Sequence, residues 1–212
     1  MQRSLAVLSL CLAAALASGP ARALDEGRFD PDWVGGGPEF RQADEIDYLW
    51  VAPGFDFAAK KIEFAAWQEP VWMGEDAGKR DAKDKRLAGD LTRNLPGIFA
   101  EAFKNGMGGK ATVVDSGGDL RAIGRIVDCS TGSAAAKFWV GMGAGSGGTT
   151  FDLKFVDKKS GKTVVAIHHR VVSGSNLSTT DSKLVDWVDE FAEEIAKKGI
   201  EPIYQKGKRV KD

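Results

Sequence analysis

The chain has 212 residues, 43% of them hydrophobic, with 29 basic against 30 acidic side chains. A formal net charge of -1 gives no basic face for nucleic acid, which binding to phosphates normally requires. The apolar content is ample for the core of one soluble domain.

The N-terminus is set apart from the fold. Arg3 supplies a positive start, and Ser4 to Leu16 is almost wholly apolar. That run falls short of the roughly 20 residues a membrane-spanning helix needs. Ser18, Gly19 and Pro20 break it, and Ala21-Arg22-Ala23 has the small-x-small pattern of a signal-peptidase site. Residues 1–23 are therefore expected to be a signal peptide, cleaved between Ala23 and Leu24. The mature chain would open on Leu24, followed at once by the acidic Asp25 and Glu26. Cys11 is disfavoured as a lipid-anchoring cysteine. It follows Leu10 where a small residue is needed, and apolar residues continue beyond it. The reading is a soluble exported protein, most simply periplasmic, with no transmembrane segment in the mature part. Cleavage leaves Cys129 without an intramolecular partner, so the fold rests on its core, and the thiol is expected to be buried and structural.

In chain order, residues 24–44 combine Pro31, Gly35, Gly36, Gly37 and Pro38 with scattered charges, which predicts a weakly ordered arm. Ile46 to Val51 reads as the first strand, stopped by Pro53-Gly54. Residues 55–82 carry five large aromatics without a clean period and read as a long connection with partial structure. Trp67 and Trp72 in it fit either loop packing or an exposed aromatic platform. Leu87, Leu91, Leu95, Ile98 and Ala102 then mark one helix face, with Pro96-Gly97 expected to kink or split it.

Short strands are predicted at 111–114 and 123–129, with a further extended stretch at 134–140 and a glycine cluster from Gly141 to Gly148. Residues 150–157 alternate Phe151, Leu153 and Phe155 against Asp152 and Lys154, a half-buried strand. A turn at 158–161 returns it as a strand over 163–172. A helix starting at Asp181 or Ser182 carries the stripe Leu184, Trp187, Val188, Phe191 and Ile195, and Lys197-Lys198-Gly199 stops it. The domain is placed at 45–204, with residues 205–212 a solvated basic tail. The expected fold class is α/β (α+β), a mixed, largely antiparallel sheet with two main helices packed on it.

Tempting motifs fail on context. Gly143 to Gly148 fits G-x-G-x-x-G, but a strand follows where dinucleotide binding needs a helix N-terminus. Ser160-Gly161-Lys162-Thr163 lacks the companion glycine of a phosphate loop, since Val156 holds that position, and reads as a hairpin turn. His168 and His169 are adjacent on a strand and point to opposite faces, so they do not easily share a metal ion. His169 has the parity of Ile167 and Val171 and is placed inside; His168 has the parity of Arg170 and is placed in solvent. No catalytic, cofactor or metal residue is named. The leading reading is a non-catalytic interaction or assembly module, binding an envelope protein or cell-wall component or self-associating. The alternative is a small exported hydrolase or ligand-binding enzyme with a site near His168 and the glycine cluster.

Three stretches carry a resemblance: Gly124-Arg125-Ile126-Val127-Asp128, Gly132 to Lys137 and Val140 to Gly145, together with Asp157 and Gly161-Lys162. They resemble a bacterial envelope family, the domain of unknown function 4410, over roughly residues 45–200. The resemblance implies a layout similar to the periplasmic part of the curli secretion channel and to lipoprotein activators of cell-wall synthases, which are mostly binding or assembly modules. This chain departs from it in lacking a lipobox and in carrying Lys137 where arginine is expected. No family catalytic residue exists to carry over.

Overall fold

The computed structural model describes residues 29–35, 39–73, 77–132, 147–172 and 180–210. The proposed cleavage pair Ala23 and Leu24, Cys11, the 134–140 stretch and most of the glycine cluster lie outside these residues. Among the described residues the strands form one eight-stranded sheet, in the order β4-β3-β5-β6-β7-β2-β1-β8. The strands are β1 (Arg41–Ala43), β2 (Ile46–Val51), β3 (Lys61–Phe64), β4 (Thr112–Val113), β5 (Leu120–Ser130), β6 (Gly148–Asp157), β7 (Thr163–Val172) and β8 (Lys208–Arg209). The helices are α1 (Pro31–Val34), α2 (Ala82–Gly106), α3 (Thr180–Lys198) and α4 (Ile200–Lys206). The class is the expected mixed, mostly antiparallel α+β sheet with two long helices.

Pairing is antiparallel except around β3, which runs parallel to both β4 and β5. Parallel neighbours require a crossover, and α2 provides it between β3 and β5. At the hairpin of β6 and β7, Asp157 Oδ1 accepts from Ser160 N and Oγ at 2.7 Å each, and Gly161 takes the left-handed φ of 68°. The Ser160-to-Thr163 sequence is therefore hairpin chemistry, as its context implied.

Helix α2 begins with a capping box. Asp81 accepts from the N–H groups of Lys83 and Asp84, and Asp84 accepts from that of Asp81. Of the kink or split expected at Pro96-Gly97, the split does not occur, and α2 continues through the proline as one helix. A mid-helix proline costs about 3 kcal/mol. Its buried face continues across the proline as Leu91, Leu95, Phe99, Ala102 and Phe103. Burying one such side chain is worth about 1.5–3 kcal/mol, so several together outweigh the proline.

The main core lies between the sheet and α2 with α3. Phe57, Phe99, Phe103, Phe151 and Phe155 are fully buried there, joined by the predicted α3 stripe of Leu184, Trp187, Val188, Phe191 and Ile195. Trp67 belongs to this core, within 5.9 Å of Phe99 and 5.8 Å of Phe151 (ring centroids), so it is a packing residue and not a platform. Trp72 is half-buried against the same cluster.

Two expectations about the ends are corrected. The residues of the 24–44 arm that are described do not form a loose leader. Phe29 to Gly35 lies against the sheet face opposite α2 and α3, and Val34 is fully buried with Phe40 and Ala166 in a second small core. Arg41–Ala43 is strand β1. The apolar members Phe29, Trp33, Val34 and Phe40 outweigh the loop-like signal of the prolines and glycines around them. The tail is ordered likewise: Ile200–Lys206 is a helix, and Lys208–Arg209 pairs with β1. The folded unit thus extends on both sides of the expected 45–204 span.

The β1–β2 connection is a two-residue loop, Asp44-Glu45, between the paired Ala43 and Ile46. Both loop residues have positive φ, 41° and 61°, as a type I′ turn requires. Left-handed backbone is costly for a side-chain-bearing residue, and Asp-Gly is the favoured pair here. Glu45→Gly is therefore expected to raise stability by about 1 kcal/mol, read from the urea midpoint.

Candidate functional site

The face of the sheet away from α2 and α3 carries a row of polar side chains. Arg125 on β5, Asp152 on β6, His168 on β7 and Tyr48 on β2 are successive cross-strand partners. In an antiparallel sheet such neighbours stand about 5 Å apart on one face, within reach of one another. Arg125 Nε donates to Asp152 Oδ2 at 2.8 Å, and His168 Nδ1 lies 2.7 Å from Asp152 Oδ1. Asp152 has no exposed surface, and His168 only 1%.

The placement of His168 in solvent is thereby overturned, although its parity was right. It faces away from the helices, but that face is covered. The same holds for β6, which is buried on both sides along most of its length instead of half-buried. The cover is the N-terminal segment. Phe29 stacks on Tyr48 at 4.7 Å and meets His168 edge-on at 5.5 Å. Asp30 Oδ2 accepts from Arg125 Nη2 at 2.9 Å. The Trp33 ring lies 4.3 Å from the Arg125 guanidinium and 4.2 Å from the Lys154 ammonium, and the Trp33 carbonyl accepts from Lys154 Nζ at 2.6 Å.

Electrostatics follow from this geometry. The Arg125 hydrogen bond holds the Asp30 carboxyl below its usual range; burial opposes this and the Trp33 N–H adds to it. Lys154 is pushed down, first by burial and then by the Arg125 charge. The recess thus brings two cations together and relies on carboxylates to compensate them.

His169 lies on the helix side, as expected, stacked on Trp187 at 4.6 Å. Its Nδ1 is 2.9 Å from Asp47 Oδ2, which also accepts from the Arg170 N–H at 2.9 Å. Burial would raise the Asp47 carboxyl, but the His169 hydrogen bond and charge and the Arg170 N–H leave it lowered overall. A carboxylate depressed in the folded state stabilises above its unfolded pKa of about 3.9, and loses that contribution as pH falls through the lower folded value. Stability should therefore fall below about pH 4, and Asp47→Asn should flatten the fall, as read from urea midpoints at pH 2–6.

Cys129 is buried on β5, its Sγ 3.5 Å from Thr149 Oγ1. Burial pushes its thiol up to about 11, which keeps it protonated and inert, as its place at the end of an apolar run suggested. Among the described residues, no three His, Cys, Asp or Glu side chains group as metal ligands do. Of the glycine cluster, Gly147 and Gly148 are described, and Gly148 begins β6, so the cluster leads into a strand. Near the β1–β2 turn lies an open hollow of about 310 Å³, flanked by Glu45, Trp187, Glu190 and Lys198. Lys198 is paired with Asp44 and Glu194. Of the basic residues expected in the tail, Lys206 and Lys208 line a neighbouring hollow with Asp44 and Asp47.

Sequence reasoning singled out His168 but missed Asp30, Asp152 and Tyr48 as its surroundings. Arg125 was visible only inside the Gly124-to-Asp128 stretch. Residues 73–173 match the domain of unknown function 4410. That span holds α2 and β4 to β7, and with them the glycine-containing stretches on which the resemblance rests. The domain of unknown function 4410 thus includes Arg125, Asp152 and His168, whereas Asp30 and Tyr48 lie before it.

No curated protein matches the chain. Among solved structures it is similar to the PelC dodecamer from Paraburkholderia phytofirmans in two crystal forms, one a single-residue variant. Identity is 11% to each, over 70% and 68% of this chain and 94% of that one, with TM-scores of 0.43 and 0.42. It is similar also to a Xanthomonas campestris protein assigned to domain of unknown function 330, at 10% identity over 69% of this chain and 87% of that one, with a TM-score of 0.42.

Proposed function

We propose that the chain is exported to the periplasm, cut between Ala23 and Leu24, and acts there as a non-catalytic interaction or assembly module for envelope components. The observation that carries the non-catalytic part is the fate of the two histidines. Each is held by an internal carboxylate, and His168 is sealed under Phe29 with its partner Asp152 fully buried. A general base has to reach the proton it abstracts, and a ring closed off by the chain's own residues does not. The Cys129 thiol, buried and protonated, is no better placed as a nucleophile.

Export rests on the apolar run to Leu16 and the Ala21-Arg22-Ala23 pattern. No helix among the described residues is long and apolar enough to cross a membrane. The test fractionates cells, sequences the N-terminus of the purified protein and identifies envelope components cross-linked to it. A start at Leu24 in the periplasmic fraction, with a reproducible cross-linked partner, is expected. A protein beginning at Met1 in the cytosol would overturn the export. A hydrolytic activity that disappears in a folded His168→Asn variant would replace the module with the enzyme reading.

A further inference from the structure

Residues Phe29 to Val34, which include the short helix α1, pack on the sheet face away from α2 and α3. The 65–73 segment, by comparison, is held along β5 by backbone hydrogen bonds. Phe29 to Val34 makes no ladder. Its own backbone bonds close on themselves, Val34 N to Asp30 O and Gly35 N to Pro31 O. It is held by side chains and by two carbonyls. Phe29 lies on Tyr48, Asp30 on Arg125, and Trp33 over the two cations with its Nε1 donating to Gln68 Oε1 at 2.8 Å. The carbonyls of Trp33 and Val34 accept from Lys154 Nζ and Thr163 Oγ1. This is how a bound peptide is held: an aromatic anchor at each end and a carboxylate between them on an arginine.

The surface beneath has a chemistry of its own. Arg125 and Lys154 stand on neighbouring strands, and Asp152 already serves both Arg125 and His168. A second anion is needed over these cations, and Asp30 supplies it. The Trp33 ring lies over the guanidinium, and Phe29 meets His168 edge-on.

We infer that the recess formed by Arg125, Lys154, His168 and Tyr48 is a peptide-binding site for an acidic–aromatic segment of a partner chain, now filled by the protein's own Phe29–Val34. The inference rests on the reading of the chain as an interaction module and names the surface. A resident occupant lowers the apparent affinity for a competing one by the fraction of time the site is open.

The test uses a labelled peptide of residues 27–36 and fluorescence anisotropy with the full chain, unmodified and as an Asp30→Ala, Trp33→Ala variant shown folded by circular dichroism. The variant, with its own segment weakened, should bind the peptide at least about tenfold more tightly than the unmodified chain. The same peptide with Asp30→Asn should bind that variant at least about tenfold more weakly, because the charge over Arg125 is lost. If the double variant does not fold, Phe29→Ala takes its place with the same expectation. Equal affinity of the two chains, or indifference to the aspartate, overturns the inference. Should that happen while envelope partners still cross-link to the chain, the recess is excluded and the module reading stands. If no partner cross-links either, both fall.

Discussion

Asp152→Ala is expected to lower stability by about 3–5 kcal/mol, the cost of removing one member of a buried charged set. The carboxylate is fully buried and is shared by Arg125 and His168, at 2.8 and 2.7 Å. Without it Arg125, 5% exposed, keeps Asp30 as its carboxylate and the Trp33 ring, and the His168 Nδ1 loses the partner that fixes its ring. The loss is mainly the desolvation of what remains and only secondarily the attraction removed. Exchanging Arg125, Asp152 and His168 together for apolar residues of similar volume should therefore cost much less than the single change. For a domain of this size the single change corresponds to a fall in Tm of roughly 6–20 °C. Thermal and urea unfolding followed by circular dichroism would measure it. A loss under about 1 kcal/mol would mean that the row is not the buried ionic set described above.

Gly124→Ala should cost about 3 kcal/mol, at the upper end for overpacking by a single methyl group. A Cβ at this position would stand 2.2 Å from Trp67 Cε2, far inside contact distance. Trp67 cannot simply retreat, because it is 7% exposed and packs on Phe99 and Phe151. A glycine in mid-strand thus lets the Trp67 ring lie directly on the sheet. The cause is separable by a double-mutant cycle. In a Trp67→Ala background, Gly124→Ala should cost less than about 1 kcal/mol, giving a large coupling energy. Equal costs in the two backgrounds would assign the effect to the backbone instead.

Gly124 falls on the Gly124-to-Asp128 stretch that carries the resemblance, and Asp152 pairs with Arg125 of the same stretch, which clarifies what that stretch encodes. Gly124 admits Trp67 on the helix side of β5, and its neighbour Arg125 enters the ionic row on the other. Asp128, at the end of the stretch, accepts two bonds from the Arg80 guanidinium at 2.8 and 2.6 Å. The pattern reads as the requirements of a strand covered on both faces.

Much of the fold follows from local pattern. The period-two run Phe151-Leu153-Phe155, the Ser160-Gly161 turn and the stripe from Leu184 to Ile195 each fix an element and its buried face, because side-chain direction is set by strand and helix geometry. The positions of β2, β6, β7 and α3 follow from these, as do the opposite faces of His168 and His169. What covers a face is decided elsewhere in the chain. Asp152, Lys154 and His168 have the alternation of a solvent-facing row, and only the docking of Phe29, Asp30 and Trp33 from far along the sequence turns that row into an interior. Tertiary burial likewise carries α2 through Pro96 and draws Lys208-Arg209 into the sheet. Local periodicity determines which way a side chain points; whether it meets water depends on a partner many residues away, and that only the folded chain decides.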